Sequence, residues 1–178
     1  MLAAVGAAQV AMVCNLTIGK PRYAEHEELM RAALAAADDL RANAVRLAEA
    51  DAVAFRAVSE AYRLAGADKE AAVQRALLGA AEVPLRTAAL AAKIIELTGR
   101  ILAGANVNVI SDVAVAASAA RAALEAAVVN VEINIAAMRD EAQRSLLRAE
   151  LGKHLPAGPV ADSVVAAVRE RINPPEGD

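Results

Sequence analysis

The chain has 178 residues, a net charge of −3, 57% hydrophobic residues, 2% aromatic residues and no tryptophan. The length suits one domain with a buried core, and the balanced charge without a basic tract excludes a typical nucleic-acid partner. The single cysteine, Cys14, excludes an intrachain disulfide and fits a reducing cytoplasm. A core so poor in aromatic residues and rich in alanine favours closely packed helices over a β-sandwich.

The apolar spacing predicts seven helices. The first covers 2–16 and ends before Gly19-Lys20-Pro21, because glycine stops helices and proline cannot continue them. Asp68 is the predicted N-cap of the third helix, and Pro84 suits the first turn of the fourth. The remaining predicted helices cover 24–64, 69–80, 84–102, 112–138, 140–151 and 159–172.

The predicted fold class is all-α, an up-and-down bundle of about six to seven helices that forms a homodimer. One domain is expected over 1–173, followed by a disordered tail at 174–178. The run 128–135 is β-branched, but its alanine-rich flanks favour a helix. The small apolar residues leave more surface than one layer of helices hides, which supports the dimer.

Two apolar segments, 1–18 and 113–131, have the composition of membrane signals. The first lacks a positively charged start, and the second is interrupted by Arg121 and Glu125. A transmembrane helix needs about 20 mostly apolar residues with few or no charges. Both segments are therefore predicted to be buried core helices of a cytoplasmic protein that does not enter the membrane.

Asp51 is the first candidate for chemistry. Asp51, Phe55, Val58 and Tyr62 are spaced four, three and four residues apart, so they share one helix face. Burying an unpaired carboxylate is costly. Two interpretations stay open: Asp51 lies at a solvent-facing margin or pairs with a neighbouring arginine, or it is functional.

Three polar segments are further candidates. The segment 15–20 (Asn-Leu-Thr-Ile-Gly-Lys) closes the first apolar run, and 106–112 is polar where a loop enters a helix. Asn108 or Ser111 is the expected cap there, and the same groups suit a pocket rim. Asn130 and Asn134 share a helix face, so they either bridge helices or bind a heterocyclic ligand. His26 and His154 lack partners at ligand spacing, which argues against a metal site.

Five segments in this order resemble the cyclodeaminase/cyclohydrolase family of folate one-carbon enzymes over about residues 3–140. They are Asn15-Leu-Thr-Ile-Gly-Lys20, Asp51-Ala-Val-Ala-Phe55, Glu82-Val-Pro-Leu85, Asn106 to Asp112, and Asn130-Val-Glu-Ile-Asn134. The resemblance implies an all-helical homodimer whose substrate is a tetrahydrofolate derivative. It implies hydrolysis of 5,10-methenyltetrahydrofolate, cyclodeamination of 5-formiminotetrahydrofolate, or both, with no metal or redox cofactor.

The resemblance also implies roles for individual residues. Asp51 is the preferred catalytic carboxylate and Asp112 the second choice. Asp51 is expected in a pocket with polar groups of 106–112 or of 15–20, within one chain or across the dimer contact. The expected substrate-binding residues are Asn15, Thr17, Lys20, Phe55, Asn108, Ser111, Asn130 and Asn134, with Lys20 and Arg22 meeting the glutamate tail.

The chain departs from the family pattern twice. Family members begin with a Pro-Gly-Gly-Gly-Ser/Ala segment before the first helix, whereas Met1 falls inside that helix here. Ala114 stands where the family has glycine after Ser-Asp-Val. Two alternatives therefore stay open: a member repurposed for another imine or amidine, and a non-catalytic helical dimer that lacks the glycine segment.

Overall fold

The computed structural model describes residues 1–173, and within that range it is helical without strands. The all-α prediction is confirmed, and the tail predicted at 174–178 lies outside the described residues. The six helices are α1 (Leu2–Asn15), α2 (Glu27–Arg63), α3 (Lys69–Ile101), α4 (Ile110–Ala137), α5 (Glu141–Gly152) and α6 (Ala157–Ile172). Short 3-10 turns at Pro21–His26 and Val107–Val109 precede α2 and α4.

Helices α1 to α4 form an antiparallel bundle, in which each packs against the next and α4 returns to α1. The start of α1 at Leu2 lines the same cleft as Asp51 of α2 and Ala127 of α4. Beyond the other end of α1, Thr17 is hydrogen-bonded to Asn106, just before α4. The two ends of α1 therefore face opposite ends of the bundle. Helix α6 packs against α3 and α4, and α5 covers a smaller part of the same pair.

Small residues bring α1 and α4 close together. A Cβ added to Gly6 would lie 3.1 Å from the carbonyl oxygen of Ala116 and 3.3 Å from the amide nitrogen of Ala120. Ala7, Ala117 and Ala120 are completely buried. The many alanines thus let the helix backbones approach each other closely. The close-packed interior is filled here by helix backbones rather than by large side chains.

Helix α4 is long and apolar enough to cross a membrane by length and composition alone. In the bundle it is the central helix and packs against α1, α3, α5 and α6. One of its faces, which includes Val113 and Val131, is buried, as the sequence predicted. The opposite face stays exposed at Val115, Val129 and Ile133, so the prediction of a buried helix is right for only part of its surface.

The predicted break between 69–80 and 84–102 is wrong, because a single helix, α3, runs through Pro84. Proline has no N–H, so Pro84 cannot bond the carbonyl of Ala80. The side chain of Asn134 on α4 supplies the missing donor, since its Nδ2 lies 3.2 Å from the Ala80 oxygen. The same nitrogen lies 2.8 Å from the carbonyl oxygen of Asn130. A neighbouring helix thus makes the interior proline tolerable.

The capping predictions hold only in part. Asp68 stands at the N-cap position of α3, as predicted, but its side chain makes no capping hydrogen bond. Helix α4 begins at Ile110 after Val109, and neither Asn108 nor Ser111 caps it. The side-chain cap is instead Asn106, which precedes the 3-10 turn before α4. Its side chain accepts a hydrogen bond from the Asn108 N–H at 3.1 Å. The chain enters α4 through a 3-10 turn, which the residue pattern did not reveal.

We expect Asn134→Leu to lower the free energy of unfolding by about 1–3 kcal/mol, because it leaves the Ala80 carbonyl without a donor. In the Pro84→Ala background the same change should cost less than half as much, since residue 84 then supplies its own N–H to Ala80. Urea unfolding of the four proteins of this double-mutant cycle measures the difference. An equal cost in both backgrounds would contradict the bridge.

Candidate active site

A cleft of about 380 Å³ opens between α1, α2, α3 and α4 at the end of the bundle where α1 begins. Three polar side chains line it: Asp51 of α2, Thr87 of α3 and Asn130 of α4. The other walls are apolar and rich in alanine. They are formed by Met1, Leu2, Ala3, Ala44, Leu47, Ala48, Pro84, Leu90, Ala123, Ala126 and Ala127. Small side chains keep the space between the helices open.

Asp51 lies on α2 in the cleft that is also lined by the first residues of α1. Its side chain is exposed and makes no ion pair within the described part of the chain. Phe55 and Tyr62, on the same face of α2, are 71% and 50% exposed. The interpretation that Asp51 pairs with a neighbouring arginine is therefore wrong, and Asp51 lies at the solvent-open margin of the cleft. Phe55 lies further along this face and does not line the cleft itself.

The cleft presents hydrogen-bond acceptors. The Thr87 hydroxyl donates to the carbonyl of Val83 at 3.2 Å, so its lone pairs remain for a ligand. The Asn130 amide nitrogen donates to the carbonyl of Ala126 at 2.9 Å, which leaves its Oδ1 as the acceptor. Together with the Asp51 carboxylate these groups suit a ligand that carries N–H donors or a positive charge. Thr87 was not predicted as a site residue. The only feature of the sequence that could have indicated it is its position one turn after Pro84.

Several of the predicted polar residues form a separate network at the opposite end of α1. Thr17 Oγ1 donates to the carbonyl of Val13 at 2.7 Å and accepts the Asn106 N–H at 3.1 Å. The Asn106 amide donates to the carbonyl of Leu16 at 2.8 Å and accepts the Tyr23 hydroxyl at 3.3 Å. Thr17 and Asn106 are 1% and 2% exposed. These bonds tie the end of α1 to the α3–α4 connection, so Thr17 has a structural role within the chain.

The turn after α1 explains the glycine of this segment. Gly19 has a φ of +76°, a conformation that only glycine adopts readily. Its N–H donates to the Glu27 carboxylate at 2.8 Å, and Glu27 also pairs with Arg31 at 2.6 Å. The hydrogen bond from Gly19, followed by that from Arg31, holds the pKa of Glu27 below its ordinary value. Glu27 is the first residue of α2, so its hydrogen bond to Gly19 joins the turn after α1 to the start of α2.

The two polar ends do not meet within one chain. No residue of 15–20 or 106–112 lines the Asp51 cleft. Since α1 has 14 residues, it separates them by roughly 20 Å. The predicted shared pocket is therefore wrong for a single chain, because antiparallel packing sends these segments to the far end. The predicted residues at that end are Asn15, Thr17, Lys20, Asn108, Ser111 and Asp112.

Cys14 faces the core and is fully buried. Burial raises its pKa from 9.0 to about 11, because the interior disfavours the thiolate. At pH 7 the thiolate fraction is then about 100-fold lower than at the ordinary pKa. We expect a disulfide reagent to label the native protein at least ~100-fold more slowly than the denatured chain. Equal labelling rates would show that Cys14 is accessible.

A basic groove of about 480 Å³ lies on the outer side of the α2–α3 seam and shares Leu47 and Leu90 with the cleft. Three cations line it, Arg46, Arg86 and Lys93. None of them forms an ion pair with an acidic residue among residues 1–173. The groove therefore carries uncompensated positive charge beside the cleft.

An apolar face covers the outer sides of α1 and α4. It consists of exposed Leu2, Val5, Met12 and Leu16 near α1, and Val115, Val129 and Ile133 on α4. Helix α1 contains no charged residue. Gln9 lies on the same side of α1, and its Oε1 is buried without a hydrogen-bond partner in the described chain. Exposed apolar side chains gathered on neighbouring helices are typical of an interaction surface.

Comparison with known proteins gives concordant matches. Residues 1–153 match the sequence model of the formiminotransferase-cyclodeaminase family. The chain is 36% identical to a methenyltetrahydrofolate cyclohydrolase of Methylorubrum extorquens, covering 96% of this chain and 85% of the relative. It is 31% identical to mouse formimidoyltransferase-cyclodeaminase, covering 79% of this chain and 27% of that protein. The crystal structure of formiminotetrahydrofolate cyclodeaminase from Thermotoga maritima superposes with a TM-score of 0.88 at 28% identity, covering 96% of this chain and 84% of that one.

Proposed function

Because this chain belongs to the formiminotransferase-cyclodeaminase family, we propose that it is a cytoplasmic enzyme that acts on a tetrahydrofolate carrying a one-carbon unit. The preferred reaction is hydrolysis of 5,10-methenyltetrahydrofolate to 10-formyltetrahydrofolate. The similarity to a free-standing cyclohydrolase along most of both chains carries this choice. Cyclodeamination of 5-formiminotetrahydrofolate is the second candidate, and the similarity to the Thermotoga cyclodeaminase supports it.

Asp51 is the proposed proton acceptor in hydrolysis. Water adds to the cationic methenyl carbon, and Asp51 takes the proton that the water releases. The resulting tetrahedral carbon lies between N5 and N10. The bond from this carbon to N5 then breaks, the new hydroxyl becomes the formyl carbonyl, and Asp51 returns a proton to N5, so that one proton is released overall. A positioned carboxylate typically contributes about 10²–10⁴-fold to such proton transfers.

The same groups suit cyclodeamination. N10 attacks the formimino carbon, the N10 proton passes to Asp51, and the former imino nitrogen leaves as ammonia after protonation. Both reactions pass through a tetrahedral carbon between nitrogens and both involve a delocalised cation. The cleft offers three acceptors, Asp51, Thr87 and Asn130. They stabilise that positive charge because they are already in place before the reaction, so no rearrangement of the site is needed.

The flat pteridine ring is proposed to lie between the alanine-rich walls of the cleft. Its ring N–H and amino groups are donors, which the Asn130 Oδ1 and Thr87 Oγ1 are free to accept. Asn130 is therefore kept as a binding residue. Asn134 is not kept as a binding residue, because its amide donates to the Ala80 carbonyl. This hydrogen bond replaces the one that Pro84, which lines the cleft, cannot make.

The glutamate tail of the folate is proposed to reach the basic groove instead of Lys20 and Arg22, because these two residues follow the end of α1 and do not line the Asp51 cleft. We expect the double variant Arg86→Gln/Lys93→Gln to raise KM for a glutamate-bearing substrate by about 10-fold with kcat unchanged, because it removes binding outside the reacting centre. The matched control is Arg100→Gln, an exposed change on the same helix. Substrate without the glutamate should show no difference between the proteins. An unchanged KM for the full substrate would place the tail elsewhere.

The chain is proposed to work as a homodimer through the apolar face of α1 and α4. Burying this face against a second copy removes exposed valine, isoleucine and leucine side chains from water. A dimer with the two α1 helices antiparallel would bring Asn15, Lys20 and the 106–112 segment of the partner to the Asp51 cleft, as the family resemblance implied. Asp112 remains the second proposed catalytic carboxylate on this basis.

Parallel assays of the purified chain test the proposed function. One follows loss of 5,10-methenyltetrahydrofolate against its spontaneous hydrolysis, and the other follows ammonia release from 5-formiminotetrahydrofolate. We expect enzymatic hydrolysis in the first. Ammonia release alone would favour the second candidate. No turnover of either would refute the folate function and favour another imine or amidine substrate, or a non-catalytic helical dimer.

A further inference from the structure

We propose that Asn134 is a positioning residue of the Asp51 cleft, which fixes the distance between the ring-binding groups of α3 and those of α4. This role depends on the folate function proposed above, because it is exerted on the groups that would bind the ring. Asn134 is half-buried and does not line the cleft. Its amide nitrogen nevertheless bonds both helices, since it donates to the carbonyl of Ala80 on α3 at 3.2 Å and to that of Asn130 on α4 at 2.8 Å.

Pro84 makes this bridge important for the α3 wall of the cleft. Its missing N–H leaves the Ala80 carbonyl without a helical partner, and its ring crowds that carbonyl, which weakens or bends a helix at this point. Helix α3 continues through Pro84 to Ile101, so the course of its second half depends on how the Ala80 carbonyl is held. Pro84, Thr87 and Leu90, which line the cleft, all lie at or beyond this turn.

The α4 wall is tied to the same amide. Asn134 lies one turn beyond Asn130, and Ala80 lies one turn before Pro84, so the bridge crosses between the helices about 6 Å along each axis from the cleft. The Asn130 side chain bonds the carbonyl of Ala126 at 2.9 Å, and both of these residues line the cleft. Asn134 thus joins the backbones of two walls at one point beside the site.

The position of Thr87 relative to Asn130 decides how a ring is held between them. The Thr87 hydroxyl bonds the carbonyl of Val83 on its own helix at 3.2 Å, and the Asn130 amide is likewise bonded to its own helix. Each acceptor therefore moves with its helix, and Asn134 holds the two helices in place. A displacement of about 1 Å is enough to weaken contacts of this kind strongly.

The test measures by calorimetry how the folded protein binds two ligands, 5-formyltetrahydrofolate and the same reduced pterin ring without its benzoylglutamate tail. We expect Asn134→Leu to weaken the binding of both by about 10-fold, because the affected contacts are made to the ring. KM for 5,10-methenyltetrahydrofolate should rise by a similar factor with kcat changed less than ~2-fold, since Asp51 lies on α2. If Asn134→Leu does not fold, Asn134→Ala replaces it, because it lets water reach the Ala80 carbonyl.

Gln74→Leu is the matched control. Gln74 is a second amide that joins α3 to the end of α4, since it donates to the carbonyl of Ala137 at 3.4 Å and accepts the N–H of Arg139 at 2.8 Å. It does not line the cleft. Its loss should also lower the free energy of unfolding, but both ligand affinities should stay unchanged. Equal weakening of binding by the two variants would show a general structural effect and overturn the positioning role.

The Pro84→Ala background tests the route of the effect. Residue 84 then supplies its own N–H to Ala80, so Asn134→Leu should weaken ring binding by less than ~2-fold in that background. A full effect there would show that Asn134 acts on the ligand by another route, and the bridge would be refuted.

Crystal structures of the ligand-free proteins decide the role independently of folate binding. We expect the distance between Thr87 Oγ1 and Asn130 Oδ1 to change by at least ~1 Å in Asn134→Leu and to stay constant in Gln74→Leu. An unchanged distance in Asn134→Leu would refute the positioning role. If the distance changes but the wild type binds neither ligand, the folate function fails whereas the positioning of the cleft walls by Asn134 stands.

Discussion

Asp51→Asn is expected to lower the turnover of 5,10-methenyltetrahydrofolate at least ~100-fold, because it removes the carboxylate that accepts and returns the proton. Asparagine keeps the size and one acceptor of the side chain. The Asp51 carboxylate is exposed and forms no ion pair in the described chain. The free energy of unfolding should therefore change by less than ~0.5 kcal/mol, measured by urea unfolding beside the rate assay.

Glu49→Gln is the matched control for this experiment. It makes the same change from carboxylate to amide on the same helix, at an exposed position that does not line the cleft. Its rate should equal that of the wild type. If Asp51→Asn also retains the full rate, Asp51 takes no part in the chemistry, and Asp112 becomes the carboxylate to test.

Charges placed on the apolar face should dissociate the proposed dimer. Val5→Glu/Ile133→Glu is expected to raise the dimer dissociation constant at least ~100-fold, because burying an unpaired carboxylate costs several kcal/mol. Each substitution enters a two-fold interface twice. Both residues are exposed in the single chain, so folding should survive. Sedimentation equilibrium over a range of protein concentrations measures the constant.

Val160→Glu tests whether the effect is specific to that face. Val160 is exposed on α6, away from the face formed by α1 and α4. This variant should keep the wild-type association. A wild-type chain that is monomeric at micromolar concentration, or a control that dissociates equally, would refute this interface.

The helical class followed from periodicity and composition, because apolar spacing reports the buried face of each helix directly. Helix boundaries that depend on a partner helix did not follow. Pro84 reads as a helix start, and only the fold brings Asn134 to the Ala80 carbonyl. The run 128–135 was resolved correctly as helix because its flanks extend the same period.

Part of the candidate site was predicted as well, because helical spacing shows which side chains share a face. Asp51 and Asn130 lie on faces that sequence spacing reveals, and the structure brings them into one cleft. Thr17 and Asn106 also looked like site residues, yet they satisfy each other across 89 positions of sequence. A polar motif alone does not distinguish a ligand contact from an internal hydrogen bond. Thr87 was missed because a lone threonine in a helix gives no pattern.

The most direct test of the Asp51 cleft as the folate site is a crystal structure of this protein with 5-formyltetrahydrofolate, a stable analogue of the substrates. We expect the ring to lie between the alanine-rich walls, with the Asp51 carboxylate within about 3.2 Å of a ligand nitrogen or oxygen. Asn130 or Thr87 should accept a hydrogen bond from the pteridine. A ligand bound elsewhere, with Asp51 out of reach of every folate atom in the dimer, would contradict it.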